Sequence, residues 1–395
     1  MAASSLGVAV IGAGMAGRAH ASGYRSASTV FHRDQPPPRL VAIADAHEPF
    51  AVETAQRYGF DRAETTWEAV ADAPDIDVVS VAVANPLHRE IVEGLLTAGK
   101  HVLCEKPLAP NVLDAQAMVD AAAKSDRVAA VGFTFRRSPA ISAIREQVVS
   151  GDLGRVRHIN AHYWTDYGYD PQAPMSWRYR GGPGSGVLAD IGSHLVDLAE
   201  FFCGSTTGVR GSIVTTLVRD RPRPLGIAVA HSASVAVSDE REPVENEDIA
   251  TFTATYGGGA TGTFSLSRVA YGHANSLRFD LFCEGGTASF DLTRPGEFTI
   301  ADPTPAKAVN GSRQVFIGPA HPYMAGGLPM DFPTVGHGQN DFFVYQARAF
   351  LDQVDGVDGL PPCPDLAHGL HNLRVLEAVV AAAGDPSPDL GKERP

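Results

Sequence analysis

Three residues of this chain have the types and settings that proton and hydride chemistry needs: Lys106, Asp190 and His194. Lys106 stands in Cys104-Glu105-Lys106-Pro107, directly after an apolar run that reads as a strand. Pro107 favours an extended backbone at the residue before it, which holds the lysine side chain away from a sheet. Asp190 and His194 lie in Gly186-Val187-Leu188-Ala189-Asp190-Ile191-Gly192-Ser193-His194, and a helix starting near Asp190 puts them one turn apart on one face. Leu188, Ile191, Leu195, Leu198 and Phe202 recur at helical spacing and belong to a core. Taken singly, Asp190 fits a helix cap, His194 a buried histidine and Lys106 a turn lysine. Their combination with a nucleotide fold points to redox chemistry.

The elements that position Lys106 begin with Gly12-Ala13-Gly14-Met15-Ala16-Gly17, set between the buried strand Gly7 to Ile11 and a helical segment from Met15 to Ala21. Strand, G-x-G-x-x-G and helix stand in the order of a dinucleotide site. Gly12 permits the tight turn, Gly14 lets backbone approach a pyrophosphate, and Gly17 lets the helix pack on the strand. The helix N-terminus is left to hold the phosphates. A second strand, Leu40 to Ala44, ends at Asp45, whose carboxylate accepts from ribose hydroxyls and repels a 2′-phosphate, favouring NAD over NADP. Asp45 lies farther along than the usual spacing of about 20 residues, and Pro36-Pro37-Pro38 marks an inserted loop. Capping of the next helix is the other role open to Asp45.

Strand and helix signals alternate as far as residue 134. Val78 to Val83 and Lys100 to Cys104 read as strands, Arg89 to Ala98 as a helix, and Asn111 as the cap of a helix running to Lys124. Val128 to Phe133 reads as a further short strand. This repetition predicts a parallel, doubly wound sheet in an α/β domain over residues 1–134. Beyond Arg137 a helix, Pro139 to Val149, leads into closely spaced strands: Val156 to Trp164, Val209 to Val218, Ile249 to Tyr256, Ala260 to Leu266, Leu277 to Cys283 and Thr287 to Asp291. They predict a largely antiparallel sheet in an α+β domain over residues 135–385, closed by helices Gln339 to Val354 and Pro364 to Ala383. Arg219 to Glu247 and Pro303 to Thr334 read as loops, and 386–395 as a flexible tail.

Composition fits an ordinary enzyme. The 395 residues suffice for two domains, and a net charge of −13 argues against nucleic acid as a partner. The four cysteines show no C-x-x-C spacing, so neither a zinc knuckle nor a disulfide framework is indicated, and reduced thiols in the cytoplasm fit best. No run reaches the length of a membrane span. Fourteen histidines raise the question of a metal. His158 and His162 fall on a strand about 13 Å apart, and none is expected.

The Glu105-Lys106-Pro107 signature, the glycine turn and the D-x-x-x-H helix together resemble the Gfo/Idh/MocA oxidoreductases, through nearly the whole chain. Arg136-Arg137-Ser138-Pro139, Ser176-Trp177-Arg178 and Gly318-Pro319-Ala320-His321-Pro322-Tyr323 are most similar to its sugar 3-dehydrogenases. The resemblance implies a Rossmann domain, then a domain with an open sheet that builds the substrate cleft, and assembly as a homodimer or homotetramer. It implies Lys106, Asp190 and His194 as the catalytic set, and Met15, Asn85, His88, Glu105, Trp177 and Arg178 as contacts to NAD beside Gly12, Gly14, Gly17 and Asp45. Elementary chemistry supports the same catalytic roles. A hydride leaves a secondary alcohol only as the hydroxyl proton departs, so a base titrating near neutrality is needed, and His194 suits the task. Lys106 stabilises the developing alkoxide, and Asp190 orients the substrate, the lysine or both.

Tyr163, Trp164, Thr165, Asp166 and Tyr167 sit where the first strand of the second domain ends, a polar and aromatic lining suited to a sugar, glycoside or cyclic polyol, with some of the aromatics in the core. Arg136 joins them as a substrate contact. His337, in Val335-Gly336-His337-Gly338, fits the cleft and a structural turn equally. The reading is an NAD-dependent dehydrogenase of a ring hydroxyl; an inositol dehydrogenase and a non-catalytic NAD sensor are its alternatives.

Overall fold

The computed structural model describes residues 5–32, 35–226, 235–303, 307–325, 327–330 and 332–384, and the tail expected over 386–395 lies outside them. In the first domain β1 (Gly7–Ile11), β2 (Arg39–Ala44), β3 (Arg62–Glu64), β4 (Val78–Val81), β5 (His101–Glu105) and β6 (Ala129–Gly132) form a parallel sheet in the order β3-β2-β1-β4-β5-β6. Helices α1 (Met15–Ala27), α2 (Glu48–Tyr58), α3 (Trp67–Asp72), α4 (His88–Thr97) and α5 (Val112–Ala122) connect the strands. β1 and β4 are buried along their whole lengths, as strands covered on both faces must be. The strand order reverses between β1 and β4, and the crevice beyond their carboxyl ends is where such sheets bind ligands. Asn111 caps α5, its Oδ1 accepting from Asp114 N at 2.8 Å. β3 escaped the sequence reading because three residues, two of them charged, carry no apolar run.

The second domain runs α6 (Pro139–Val149), β7 (Val156–Trp164), α7 (Ser193–Cys203), β8 (Thr206–Thr215), β9 (Asp220–Pro224), β10 (Val237–Pro243), β11 (Ile249–Tyr256), β12 (Thr261–Ser267), β13 (Ser276–Cys283), β14 (Thr287–Asp291), β15 (Glu297–Ala301), β16 (Arg313–Phe316), α8 (Gln339–Asp355) and α9 (Leu366–Ala383). Eight strands form a mixed sheet in the order β16-β15-β14-β13-β7-β12-β11-β8, antiparallel except where β12 lies parallel to β7. Ile159, Ala161 and Tyr163 of β7 face inward under α7, with the alternation a half-covered strand requires.

Three expectations change here. The segment Pro303 to Thr334, read as a loop, contains β16 at the sheet edge, and Arg219 to Glu247, also read as a loop, contains the ribbon β9/β10. Its strands are charged and proline-bearing, so no apolar pattern betrays them. The two late helices also reach the first domain: α8 packs on α1 and α9 on α5, and Val131 N donates to Pro364 O at 2.8 Å. Gly23 is the contact point on α1, where a Cβ would lie 2.7 Å from Phe343 O.

Candidate active site

The glycine turn closes against β4. Gly12 has φ +102°, and a Cβ there would stand 2.4 Å from Ala82 O, so only glycine fits. A Cβ on Gly17 would lie 1.7 Å from Gly12 O, which places Gly17 in the helix–strand packing rather than in the cleft. Gly14 faces open space, with nothing within 4 Å of its virtual Cβ. That opening at the N-terminus of α1 leaves room for a pyrophosphate, and the turn fits the group. At the end of β2, Asp45 Oδ2 accepts from Ala13 N at 2.7 Å and Oδ1 from His47 N at 2.8 Å. His47, not Asp45, occupies the cap position of α2. The carboxylate is thereby fixed at the edge of the glycine turn.

From this turn a cleft of about 1440 Å³ runs to the second domain. It exceeds the roughly 300–1,000 Å³ of an ordinary small-molecule pocket, as a dinucleotide with a second ligand requires. Lys106 follows β5, with a cis bond to Pro107. Its Nζ donates to the main-chain oxygen of Asp190 at 2.7 Å and stands 3.5 Å from Asp190 Oδ1. Tyr167 Oη donates to Asp190 Oδ2 at 2.8 Å. His194 lies at the start of α7 with Phe135 edge-on at 4.6 Å between ring centres. Its Nδ1 is buried without a hydrogen-bond partner, and the residue lines the cleft.

The expected helix from Asp190 is instead a π-helical turn, Leu188–Gly192, with α7 beginning at Ser193. Gly192 allows it: a Cβ there would press on Leu266 of β12 at 2.9 Å. The turn is held from behind by Glu247, whose carboxylate accepts from Gly184 N at 2.8 Å, Gly186 N at 3.0 Å and Leu188 N at 2.9 Å. Asn246 Nδ2 donates to the carbonyls of Arg178 and Arg180, anchoring the loop that carries Trp177 and Arg178. These buried polar residues sat in a segment read as a charged loop, and only their burial reveals them.

Burial first, then the Lys106 charge, pushes the His194 imidazole well below its ordinary range, with Asp190 pulling the other way. The shift runs downward from the near-neutral titration expected of a base. At Glu105 burial opposes ionisation, but the bond from His20 and the charge of Lys106 outweigh it and leave the carboxyl below its ordinary value.

Lys106, Asp190 and His194 line this one cleft, as do Gly12, Gly14, Met15, Asp45, Asn85 and Glu105. Trp177, Arg178, Tyr163, Thr165 and Asp166 line it from the second domain, with the Arg178 guanidinium over the Trp177 ring at 4.5 Å. Four expectations are corrected. His88, expected on the cofactor, is buried, its ring nitrogens each 3.1 Å from the carbonyls of Leu108 and Val83, so it ties two loops together. Arg136, expected on the substrate, pairs with buried Asp197 at 2.7 Å, because that carboxylate needs a countercharge. His337 sits outside the lining against Phe342, and Gln339 and Asn340 of the same segment face the cleft in its place. Trp164 alternates to the opposite face of the sheet and stacks on His162 at 3.8 Å. Asn275 and Gln339 had no sequence signal: Tyr163 Oη donates to Asn275 Oδ1 at 2.7 Å, and Asn275 Nδ2 to Gln339 Oε1 at 2.9 Å. Among the described residues no group of three His, Cys, Asp or Glu converges as for a metal, and no helix is long and apolar enough to cross a membrane.

The model of the oxidoreductase family with an NAD-binding Rossmann fold, GFO_IDH_MocA, matches residues 6–133, and the GFO/IDH/MocA C-terminal domain matches residues 141–289. Levoglucosan dehydrogenase of Pseudarthrobacter phenanthrenivorans is 32% identical over 384 residues, 97% of each chain. D-glucoside 3-dehydrogenase of Escherichia coli (strain K12) is 34% identical over 205 residues, 52% of this chain and 56% of that protein. A solved structure of levoglucosan dehydrogenase in complex with NADH and L-sorbose matches with a TM-score of 0.86 and 31% identity over 96% of both chains.

Proposed function

The chain belongs to the Gfo/Idh/MocA oxidoreductases, and from that premise we propose that it oxidises a secondary ring hydroxyl of a sugar or glycoside, at C3 of a glucoside or anhydrosugar, to a ketone. It is an NAD-dependent enzyme acting on CH–OH groups, with sugar dehydrogenases among its relatives. The observation that carries the finer reading is the meeting of Lys106, Asp190 and His194 on one cleft with the glycine turn.

The turn, with Asp45, Asn85 and Glu105 around it, would hold NAD, which when bound supplies the hydride acceptor. His194, lining the cleft, takes the proton of the reacting hydroxyl. Lys106 Nζ donates to the same oxygen and stabilises its charge as the proton leaves, and Asp190 keeps the ammonium in place. Tyr163, Thr165, Asp166, Asn275 and Gln339 offer the polar rim that holds the other hydroxyls. The carbonyl and carboxylate contacts of Lys106 leave it room to turn toward the substrate without losing its countercharge.

NADH formation measured by absorbance across glucosides, anhydrosugars, free sugars and inositols tests the proposal. Turnover with glucosides or anhydrosugars, and a 3-keto product by NMR, is expected. Turnover confined to inositols would make it an inositol dehydrogenase, and NAD binding without turnover on any of them a sensor.

A further inference from the structure

The cleft extends past the residues that a dinucleotide and one reacting ring account for. Met15, Ala19 and Ser22 of α1 line it at the i, i+4, i+7 spacing of a single helix face. Gln339, Asn340 and Phe343 line it from the start of α8, the helix that packs on α1. A dinucleotide uses the first turn of a helix such as α1 and the carboxyl ends of the strands. Ala19 and Ser22 lie beyond that turn, so this arm of the cleft is left to another ligand.

Packing fixes the arm. Buried His20 meets the Phe343 ring edge-on at 5.3 Å between ring centres, and Gly23 backs on Phe343 O, so the two helices touch from there onward and their first turns border the cleft. Ala19 and Ser22 are small, and Ser22 and Asn340 are exposed. Asn275 Nδ2 donates to Gln339 Oε1 at 2.9 Å and Tyr163 Oη to Asn275 Oδ1 at 2.7 Å, while the Tyr163 ring lies 6.2 Å from that of His194. The arm is thus continuous with the end of the cleft that holds His194. A carboxamide carries two N–H donors and a carbonyl with two lone pairs, so Asn275 and Gln339 keep bonding capacity beyond their mutual contact, and Asn340 adds a third amide. Neighbouring amides beside an aromatic ring match the hydroxyls and the apolar face of a pyranose.

We propose that the arm between α1 and α8 is a subsite for a second sugar residue, attached through the glycosidic oxygen of the ring that is oxidised. The substrate class is then a glucosyl disaccharide rather than an anhydrosugar, which carries no such residue. This rests on the proposed oxidation of a glycoside ring.

NADH formation with methyl α- and β-glucoside, p-nitrophenyl β-glucoside, trehalose, methyl cellobioside and methyl maltoside tests it in wild type and in Ser22→Phe, whose ring fills the arm from α1. In wild type at least one disaccharide should exceed the methyl glucosides in kcat/KM by about tenfold or more, through KM, the gain of one or two hydrogen bonds. Ser22→Phe should abolish that advantage and keep KM for the methyl glucosides and for NAD within about twofold. Asn340→Ala should raise KM for the preferred disaccharide more than KM for the methyl glucosides. Disaccharides no better than methyl glucosides, p-nitrophenyl glucoside preferred to every disaccharide, or a Ser22→Phe effect equal on all substrates overturns the subsite and leaves the oxidation of a glycoside standing. If wild type oxidises none of these glycosides, the functional reading fails and the subsite falls with it. Should Ser22→Phe not fold, Asn340→Trp fills the arm from α8 and must raise KM for the disaccharide above that for the methyl glucosides; an equal effect on both again overturns the proposal.

Discussion

His20 Nε2 donates to Glu105 Oε1 at 2.9 Å, joining the helix that opens in the glycine turn to β5, which ends directly before Lys106. His20 is 1% exposed and Glu105 8%, so the contact links the glycine-turn half of the cleft to the segment carrying Lys106 through the protein interior. His20→Ala leaves a buried carboxylate without its donor and should cost about 1–3 kcal/mol. The sign with pH follows from the depressed Glu105 carboxyl: the stabilisation is present above the ordinary value of 4.5 and is lost as pH falls through the folded one. Urea midpoints at neutral pH should therefore separate wild type from the variant, and a gap that persists unchanged at strongly acid pH would show that the lost interaction is not this hydrogen bond to the ionised carboxylate.

Lys106→Met should leave NAD affinity within a few-fold and lower turnover by about 100-fold or more, the scale of one oriented electrostatic donor. Fluorescence titration with NADH and steady-state kinetics check the two halves, and retained turnover would remove Lys106 from the catalytic set.

For His194 the pH profile is the measurement. Burial and the Lys106 charge lower the imidazole, so the acidic limb of kcat/KM for alcohol oxidation should break below the ordinary value of about 6.5. His194→Asn should remove that limb together with most of the activity. A limb that survives the change assigns the base to another residue.

Asp45 is expected to set the cofactor preference. Wild-type enzyme should favour NAD over NADP by at least about tenfold in kcat/KM, or about 1.4 kcal/mol. Asp45→Ser should shrink that ratio, by weakening NAD and relieving repulsion of a 2′-phosphate. Because Asp45 also accepts from Ala13 N and His47 N, some of the loss with NAD is expected to come from a loosened glycine turn. A wild-type preference for NADP would remove this role from Asp45 and leave the sugar chemistry untouched.

Much of the fold is legible because its strands are built from apolar runs or clean alternation: β1, β7, β11 and β14 occupy the expected residues. β3, β9, β10, β15 and β16 are not, since short, charged or exposed strands owe their conformation to the neighbour they pair with rather than to their own residues. The π-helical turn at Asp190 belongs with them. Its geometry comes from Gly192 against Leu266 and from Glu247 behind it, contacts that no local spacing encodes.

By itself the sequence determined the glycine turn, the acidic residue after the second strand and the lysine after the fifth, because each is a short-range pattern with one backbone solution. Which side chains meet was decided by the tertiary structure. Asp197 draws Arg136 away from the cleft, two carbonyls bury His88, and the alternation of β7 turns Trp164 outward while Tyr163 stays in. Tyr167 reaches Asp190 only through the pairing of β7 with β12 and the loop lacing beyond it. The physical reason is common to all of these. A buried charge or polar group takes whichever partner the packing brings within hydrogen-bond range, and those partners come from distant parts of the chain.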